Sequence, residues 1–74
     1  MNIYIESEYI TLSQFLKLAD LIMSGGEAKP FLAMNEVIIN GEFDNRRGRK
    51  LRDGDEVVVL NKKYLIKNKW LLRQ

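Results

Sequence analysis

Val37-Ile38-Ile39-Asn40-Gly41-Glu42-Phe43 is the stretch of sequence that says most about the fold. Its three β-branched residues favour a strand, and Asn-Gly is the preferred pair for a two-residue type I′ hairpin turn. Glu42-Phe43 then opens the return strand. Further along the chain, Asp53-Gly54 marks another turn, and Glu56-Val57-Val58-Val59-Leu60 has the pattern of a further strand. This half of the chain therefore predicts a small antiparallel sheet.

Two helix starts precede the hairpin. Thr11-Leu12-Ser13-Gln14 and Ser24-Gly25-Gly26-Glu27 each have a capping-box pattern, in which a hydroxyl residue is followed by Gln or Glu three positions later. The first predicts a helix that ends at Ser24-Gly25-Gly26-Glu27, with one apolar face made of Leu12, Phe15, Leu16, Ala19, Ile22 and Met23. The second predicts about two helical turns, with apolar Ala28, Phe31, Leu32 and Met34. Proline suits only the first turn of a helix, so at Pro30 this helix either starts late or is bent.

The two ends of the chain complete the predicted fold. Ile3 and Ile5 alternate with polar neighbours, which predicts a short strand with one buried face. Residues 61–74 fit either a closing strand pair or a frayed end docked on the core. We expect an α+β fold with an N-terminal strand, two short packed helices and a small antiparallel β-sheet. Residues 1–74 should form a single domain, with a core over 10–60 and a basic C-terminal extension over 61–74.

The composition argues against several kinds of site. The 74 residues include no cysteine and no histidine, which removes disulfides, thiolate metal sites and the commonest general base. The acidic residues form no converging pair, so we expect no enzymatic activity, no metal, no cofactor and no small-molecule substrate. No apolar run approaches the ~18 residues of a membrane span, and the first residues lack a signal-peptide pattern. We therefore expect a cytoplasmic protein without a membrane partner.

Charge is distributed unevenly along the chain. The whole sequence has a net charge of +2, but residues 1–45 contribute −5, residues 46–60 contribute +2 and residues 61–74 contribute +5. Such asymmetry is typical of a chain with a polyanionic partner, although a solvated charged surface would show the same pattern.

The sharpest feature is Arg46-Arg47-Gly48-Arg49-Lys50-Leu51-Arg52, with five cations in seven residues. Guanidinium groups bind phosphate oxygens in bidentate fashion and also stack on unpaired bases. The alternative is that these cations pair with Asp53, Asp55 and Glu56, which follow them. Surface ion pairs contribute only ~0–1 kcal/mol each, so they explain such clustering poorly. We therefore predict a phosphate-binding loop.

Ser24-Gly25-Gly26-Glu27, with Lys29, is a second candidate for anion binding. Free amides and the helix dipole attract anions at a helix start, and glycines let a backbone approach closely. Taken alone, this stretch is better explained as an ordinary corner between two helices. It gains weight because the Arg-rich loop lies in the same small domain.

Five short motifs occur in an order that resembles a known family. They are Leu-x-x-Phe-Leu-Lys (12–17), Ser-Gly-Gly-Glu-Ala-Lys (24–29), Val-x-x-Asn-Gly-Glu (37–42), Arg-Arg-Gly-Arg-Lys-Leu (46–51) and Gly-Asp-x-Val (54–57). The combination resembles the S-four RNA-binding domain, whose core is also called the alpha-L motif. It is most similar to small stand-alone bacterial members of the YaaA and YbcJ type. The resemblance covers residues 10 to 59.

The resemblance implies an RNA-binding function without catalysis. In that family, two short helices and the adjoining hairpin loop grip structured RNA. Pro30 departs from the family's pattern inside the second helix. Taking the family's positions together with the Arg-rich run, we expect the RNA-binding residues to be Lys17, Ser24, Gly25, Gly26, Lys29, Arg46, Arg47, Arg49, Lys50 and Arg52. The implied partner is ribosomal RNA or a ribosomal particle, bound by a monomer.

Two other classes of protein fit parts of the sequence. Residues 37–57 also fit a β-grasp sulfur carrier, but carrier chemistry requires an exposed Gly-Gly C-terminus, and this sequence ends in Leu-Leu-Arg-Gln. The likeness would then be one of fold alone. A basic adaptor that binds an acidic protein is the other class, and the sequence does not separate it from an RNA-binding protein.

Tyr64 and Trp70 lie among lysines and are open to two interpretations. Aromatic rings can stack on RNA bases, or they can cover the core. A domain this small needs its large apolar side chains to complete burial, which favours the second interpretation.

Overall fold

A computed structural model describes residues 1–71 of the chain. In chain order its elements are β1 (Asn2–Ile5), β2 (Ile10–Thr11), α1 (Leu12–Leu18), α2 (Ala28–Met34), β3 (Val37–Ile39), β4 (Glu42–Phe43), β5 (Lys50–Leu51), β6 (Glu56–Val59) and β7 (Lys62–Asn68). A single 3-10 turn over Gly25–Glu27 leads directly into α2. The predicted α+β fold class is confirmed.

A five-stranded sheet with the order β1-β7-β6-β3-β4 forms one layer, and β2 pairs with β5 in a separate two-stranded ribbon. Strands β3, β4, β6 and β7 are antiparallel, as predicted, whereas β1 runs parallel to β7 and makes the sheet mixed. The sequence predicts an extension of the core over 61–74, but the first half of this segment supplies β7, which lies between β1 and β6. The strand alternative is the correct one for residues 62–68.

The predicted turns of the sheet are present. Asn40 and Gly41 have φ angles of 52° and 85°, which confirms the type I′ turn between β3 and β4, and Gly54 has a φ of 89° in the turn before β6. Leu60 and Asn61 form a further turn of positive φ, at 51° and 62°. The predicted strand over 56–60 therefore ends one residue early, at Val59. Leucine carries no turn signal, so the sequence did not indicate this reversal.

Helix α1 is shorter than its apolar pattern predicted. It ends at Leu18 because Asp20 takes a left-handed conformation with a φ of 60°. The Asp20 N–H donates to the Lys17 carbonyl and the Leu21 N–H donates to the Leu16 carbonyl, which is the Schellman arrangement of a helix end. Ile22 is still buried, as expected, but Met23 is 91% exposed, so its predicted place on the buried face is wrong.

Helix α2 begins late, which is one of the two alternatives that Pro30 allowed. Because the helix starts at Ala28, Pro30 is its third residue and lies in the first turn, where an N–H has no partner within the helix. Ala28 and Leu32 are buried and Phe31 packs partly against the core. Met34 is 83% exposed, which corrects its expected place on the buried face.

The core lies between the helices and one face of the five-stranded sheet. Phe15 of α1 and Tyr64 of β7 make its central contact, an edge-to-face pair with ring centroids 5.2 Å apart. Such pairs contribute ~0.5–1.5 kcal/mol beyond the burial of their area. The core role predicted for Tyr64 is confirmed, while Trp70 is 53% exposed and does not share it. No helix within residues 1–71 has the length and apolar character needed to cross a bilayer.

Candidate nucleic-acid interface

The Arg-rich loop is docked on the start of α1 through its own backbone. The Leu12 N–H donates to the Arg49 carbonyl at 2.8 Å, and the Ser13 N–H donates to the Arg47 carbonyl at 3.0 Å. The predicted capping box between Thr11 and Gln14 satisfies the next amide. The first amides of α1 are therefore occupied by the loop, and they are not available to an anion.

Asp44 anchors the side chains of this loop. Its carboxylate accepts from Arg46 Nη2 at 2.7 Å and from Arg46 Nε at 3.0 Å. The same carboxylate lies 3.2 Å from Arg49 Nε. The Arg46 hydrogen bond is the main reason why the pKa of Asp44 falls from 3.8 to about 2. The side chain of Arg46 nevertheless stays 72% exposed, so its outer face is open to a ligand.

The acids that follow the loop have other partners. Asp55 accepts from the Arg52 backbone N–H and from the Asn40 side chain, and Asp53 accepts from the Asn68 N–H. Glu56 lies 3.6 Å from Lys63. Within residues 1–71, no side-chain ion pair joins the loop cations to these three acids. The alternative explanation of the cation cluster, in which these acids neutralise it, is therefore not what the structure shows.

Lys29 of α2 faces two arginines of the loop. One open cleft, which we call the Lys29 cleft, is lined by Lys29, Leu32, Ala33, Asn45, Arg46 and Arg47. Neither Lys29 nor Arg47 forms an ion pair within the part of the chain that the structure describes. Three cations that share a cleft repel one another, and a phosphate between them would remove that repulsion.

The helix start beside this cleft is built around Glu27. The Glu27 carboxylate accepts from the Ser24 N–H at 2.7 Å, as the capping pattern predicted, and also from the Met23 N–H at 2.8 Å. These two backbone donors lower the pKa of Glu27. Two of the amides near this helix start are therefore already occupied by a carboxylate of the protein itself.

Gly25 and Gly26 follow those amides, and the fold does not require glycine at either position. Neither residue has a positive φ, and a Cβ added to either would meet nothing within 4 Å. Lys29 comes three residues after Gly26, which is close to one helical turn. No side chain on either residue therefore obstructs a ligand that approaches this helix start.

The remaining predicted residues lie elsewhere. Lys17 lines a shallow surface on α1 with Ile10, Gln14 and Leu18, apart from the Lys29 cleft. Arg49 is tied to Asp44 and donates through Nη1 to the Lys50 carbonyl at 2.7 Å.

Lys50 and Arg52 lie beside Tyr9, which the sequence analysis did not single out. Lys50 Nζ is 4.9 Å and Arg52 Cζ is 5.5 Å from the centroid of the Tyr9 ring, both within the range of a cation–π contact. The pairing of β2 with β5 produces this proximity, since Ile10 lies opposite Leu51 and Thr11 opposite Lys50. An aromatic residue next to a strand is only a weak sequence signal for a functional residue, so Tyr9 could not be identified in this way. An acidic residue two positions before Arg46 is the one signal that would have pointed to Asp44.

Comparisons with known proteins point to one family. A family model described as "S4 domain" matches residues 3–67. A protein of Bacillus subtilis (strain 168) named "Probable ribosome maturation protein RlbA" is 63% identical over 57 residues, which are 77% of this chain and 80% of that protein. No solved structure matches the chain. The match to the family model extends over most of the chain and includes both helices and the Arg-rich loop, so this chain belongs to the S4 domain family.

Proposed function

We propose that this protein binds structured RNA of the ribosome during ribosome maturation, and that it does so without catalysing a reaction. The observation that carries the proposal is the Lys29 cleft, where Lys29, Arg46 and Arg47 come together. Membership of the S4 domain family and the printed name of the Bacillus subtilis relative support the ribosomal target. We further propose that the protein acts as a monomer in the cytoplasm, where bacterial ribosomes are assembled.

The cleft is suited to phosphate groups of an RNA backbone. Asp44 holds the Arg46 guanidinium in place through two hydrogen bonds, so little side-chain freedom is lost when a phosphate binds to its exposed side. Arg47 and Lys29 add two cations, and the Gly25 and Gly26 backbone adds unobstructed amides. The expected set of RNA-binding residues thus has its centre at Lys29, Arg46 and Arg47, with Ser24 held at the helix start by Glu27.

A small basic surface of this kind reads the shape of RNA more than its sequence. The base edges in the deep groove of A-form RNA are out of reach of side chains. Recognition then depends on backbone geometry at helices, bulges and junctions. Competition between a folded ribosomal RNA fragment, a single-stranded homopolymer and duplex DNA tests this, and we expect the folded fragment to bind most tightly. Equal binding to all three would mean that the protein binds nucleic acids only as a general polycation.

The salt dependence of binding measures the number of phosphates contacted. If three to five phosphates are neutralised, the slope of log K against log salt should be roughly −3 to −5, using ~0.9 per phosphate. The double change Arg46→Ala and Arg47→Ala should weaken binding by roughly tenfold or more and make the slope shallower by about 2. Lys62→Ala with Lys63→Ala removes the same charge from the start of β7 and should leave most of the affinity in place. A slope near zero, or equal losses from both pairs, would contradict the proposal.

A further inference from the structure

We propose that the hollow beside Tyr9 holds one unpaired base of the bound RNA, a second contact that rests on the proposed RNA-binding function. This Tyr9 hollow is an open concavity of about 450 Å³, lined by Glu8, Arg52, Asp53, Asn68, Trp70 and Leu71. Its volume falls in the ~300–1,000 Å³ range of small-ligand clefts. The Lys29 cleft shares none of these residues.

Two flat groups in the hollow are suited to stacking. Arg52 lies over the Tyr9 ring, and a guanidinium held against an aromatic ring can stack a base on its other face. Trp70 lines the same hollow and is 53% exposed, which is unusual for the largest apolar side chain in a small domain. Base–aromatic stacking needs no particular base, because every base has a π-face.

Asn68 holds the hollow in one shape. It is only 5% exposed, and its Nδ2 donates to the Ser7 carbonyl at 2.8 Å. Its backbone N–H donates to Asp53 at 2.7 Å, and its Oδ1 accepts from the Trp70 N–H at 2.7 Å. One buried amide thus joins the β1–β2 loop, the β5–β6 turn and the segment after β7. Because these three segments make the walls, the hollow exists before any ligand binds.

The charges in the hollow favour a base over a phosphate. The carboxylates of Glu8 and Asp53 lie among its lining residues and offset the charge of Arg52 and of the adjacent Lys50. Carboxylates repel a phosphate, but they accept hydrogen bonds from the N–H groups on the Watson–Crick edge of a base. A base with an exocyclic amino group, such as guanine, supplies those donors, whereas uracil has none on an exocyclic group. The occupant we infer is therefore an unpaired guanine or another amino-bearing base.

An RNA duplex with a single bulged guanine, compared with the same duplex fully paired, tests this inference. Trp70 is the sole tryptophan of the sequence, so its fluorescence reports on the hollow alone. We expect the bulged duplex to bind more tightly and to quench this fluorescence more strongly than the paired duplex does. Tyr9→Leu and Trp70→Leu should each weaken binding of labelled bulged duplex by roughly 5- to 150-fold, the loss typical of one stacked base, and should leave the paired duplex unaffected.

Matched variants separate a lost stack from a damaged fold. Tyr9→Phe keeps the ring and should bind as the parent does. Tyr4→Leu changes a tyrosine that is 49% exposed on β1, outside the hollow, and should have no effect on either duplex. Glu8→Gln should reduce the preference for a bulged guanine over a bulged uracil. Thermal melts of all variants show which of them are folded.

Three results would overturn the inference. The base site is wrong if folded Tyr9→Leu and Trp70→Leu proteins bind the bulged duplex as tightly as the parent. It is also wrong if both variants weaken binding of the two duplexes equally, because the Tyr9 hollow would then contact only the RNA backbone. In either case the proposed function survives if the Arg46 and Arg47 double variant still loses affinity for both duplexes. If the parent protein binds neither duplex nor a folded ribosomal RNA fragment, both proposals fail.

Discussion

The Lys29 cleft and the Tyr9 hollow draw their arginines from the same seven-residue run, but the groups around those arginines differ. In the cleft, Arg46 is held by the carboxylate of Asp44, and Arg47 and Lys29 have no aromatic neighbour among its lining residues. In the hollow, Arg52 shares the lining with two acidic residues and a tryptophan, and its guanidinium lies over the adjacent Tyr9 ring. The first environment suits phosphate and the second suits a base.

Strand β5 is the reason why one run of sequence makes two surfaces. Leu51 is fully buried and lies opposite Ile10 of β2, so the chain enters the core between Arg49 and Arg52. Arg46 and Arg47 stay on the side of α2, while Lys50 and Arg52 are carried to the side of Tyr9. A cluster of like charges in sequence is thus not a single patch in space.

Removing the buried side chain that divides the two surfaces should have the largest effect. Leu51→Ala deletes a fully buried side chain and leaves a cavity beneath β2 and β5, so we expect the free energy of unfolding to fall by ~2–5 kcal/mol. Urea denaturation at neutral pH measures the change. Leu18→Ala is the matched control, because it deletes the same atoms from a side chain that is 55% exposed, and it should cost clearly less. Equal losses would mean that Leu51 does not hold the ribbon to the core.

A charge placed at the glycine start of α2 should affect the Lys29 cleft alone. Gly26→Glu should weaken the binding of paired and bulged RNA duplexes by roughly tenfold each, because a carboxylate there repels phosphate and blocks the backbone. The fold should survive, since Gly26 has no positive φ and open space around it. Gly26→Gln has almost the same size without the charge, and should lose less affinity. If a folded Gly26→Glu protein binds like the parent, the helix start is not part of the interface.

Neutralising the carboxylate that anchors the loop should give a smaller, pH-dependent loss. Asp44→Asn removes the ion pairs with Arg46 and Arg49, and we expect it to lower the free energy of unfolding by about 1 kcal/mol at pH 7. Folding depresses the pKa of Asp44 to about 2, so its stabilising contribution is complete above the unfolded value near 4.

That contribution should disappear as the pH falls through the pKa of the folded state. Denaturation of parent and Asp44→Asn at pH 7, 4 and 2 should show a difference that is largest at pH 7 and closest to zero at pH 2. Lys63→Gln, which removes the pair with Glu56, serves as a control for an ion pair between two exposed side chains. A difference that stays constant from pH 7 to pH 2 would count against Asp44 as the anchor.

The smallest expected effect distinguishes folding from binding, because stability should rise while RNA affinity falls. Gly26→Ala reduces the freedom of the unfolded chain at a position where the folded backbone tolerates a Cβ, so it should stabilise the protein by ~0.4–1 kcal/mol. If RNA approaches this backbone closely, the same change should weaken RNA binding. Gly54→Ala is the contrast, because Gly54 has a φ of 89° and its replacement should destabilise the fold. A stabilised Gly26→Ala protein with unchanged affinity would show that no close approach occurs there.

Much of the fold could be predicted from sequence because its signals act over a few residues. The turn at Asn40-Gly41, the capping box at Thr11 and Gln14, and the strand alternation at Ile3 and Ile5 are all local, and the structure contains each of them. The family motifs are local as well, and the family they indicated is confirmed. The end of α1 was not predicted, because aspartate takes a left-handed conformation only occasionally. Asp20 therefore does not by itself indicate the end of a helix.

The site was predicted as a set of residues and not as an arrangement. Lys29, Arg46 and Arg47 could be named from charge and motif, but their meeting across one cleft depends on how α2 packs beside the loop. Asp44 pairs with an arginine only two residues away, so an acid close to the Arg run is its one local sign, whereas the position of Tyr9 beside two cations has no local signature. Tyr9 meets Lys50 and Arg52 only when β2 pairs with β5.

By itself, the sequence determined both helices, strands β1, β3, β4 and β6, the family, and a chemistry that has a basic loop and a glycine helix start but no histidine or cysteine. The tertiary structure alone decided that β7 lies parallel to β1 within the sheet and that β5 pairs with β2. These pairings join residues distant in sequence, and they are selected by the burial of Ile3, Leu51 and Ile66 in one common core. The free energy of burying apolar surface depends on how the whole chain packs, so no short stretch of residues can specify which distant strands pair.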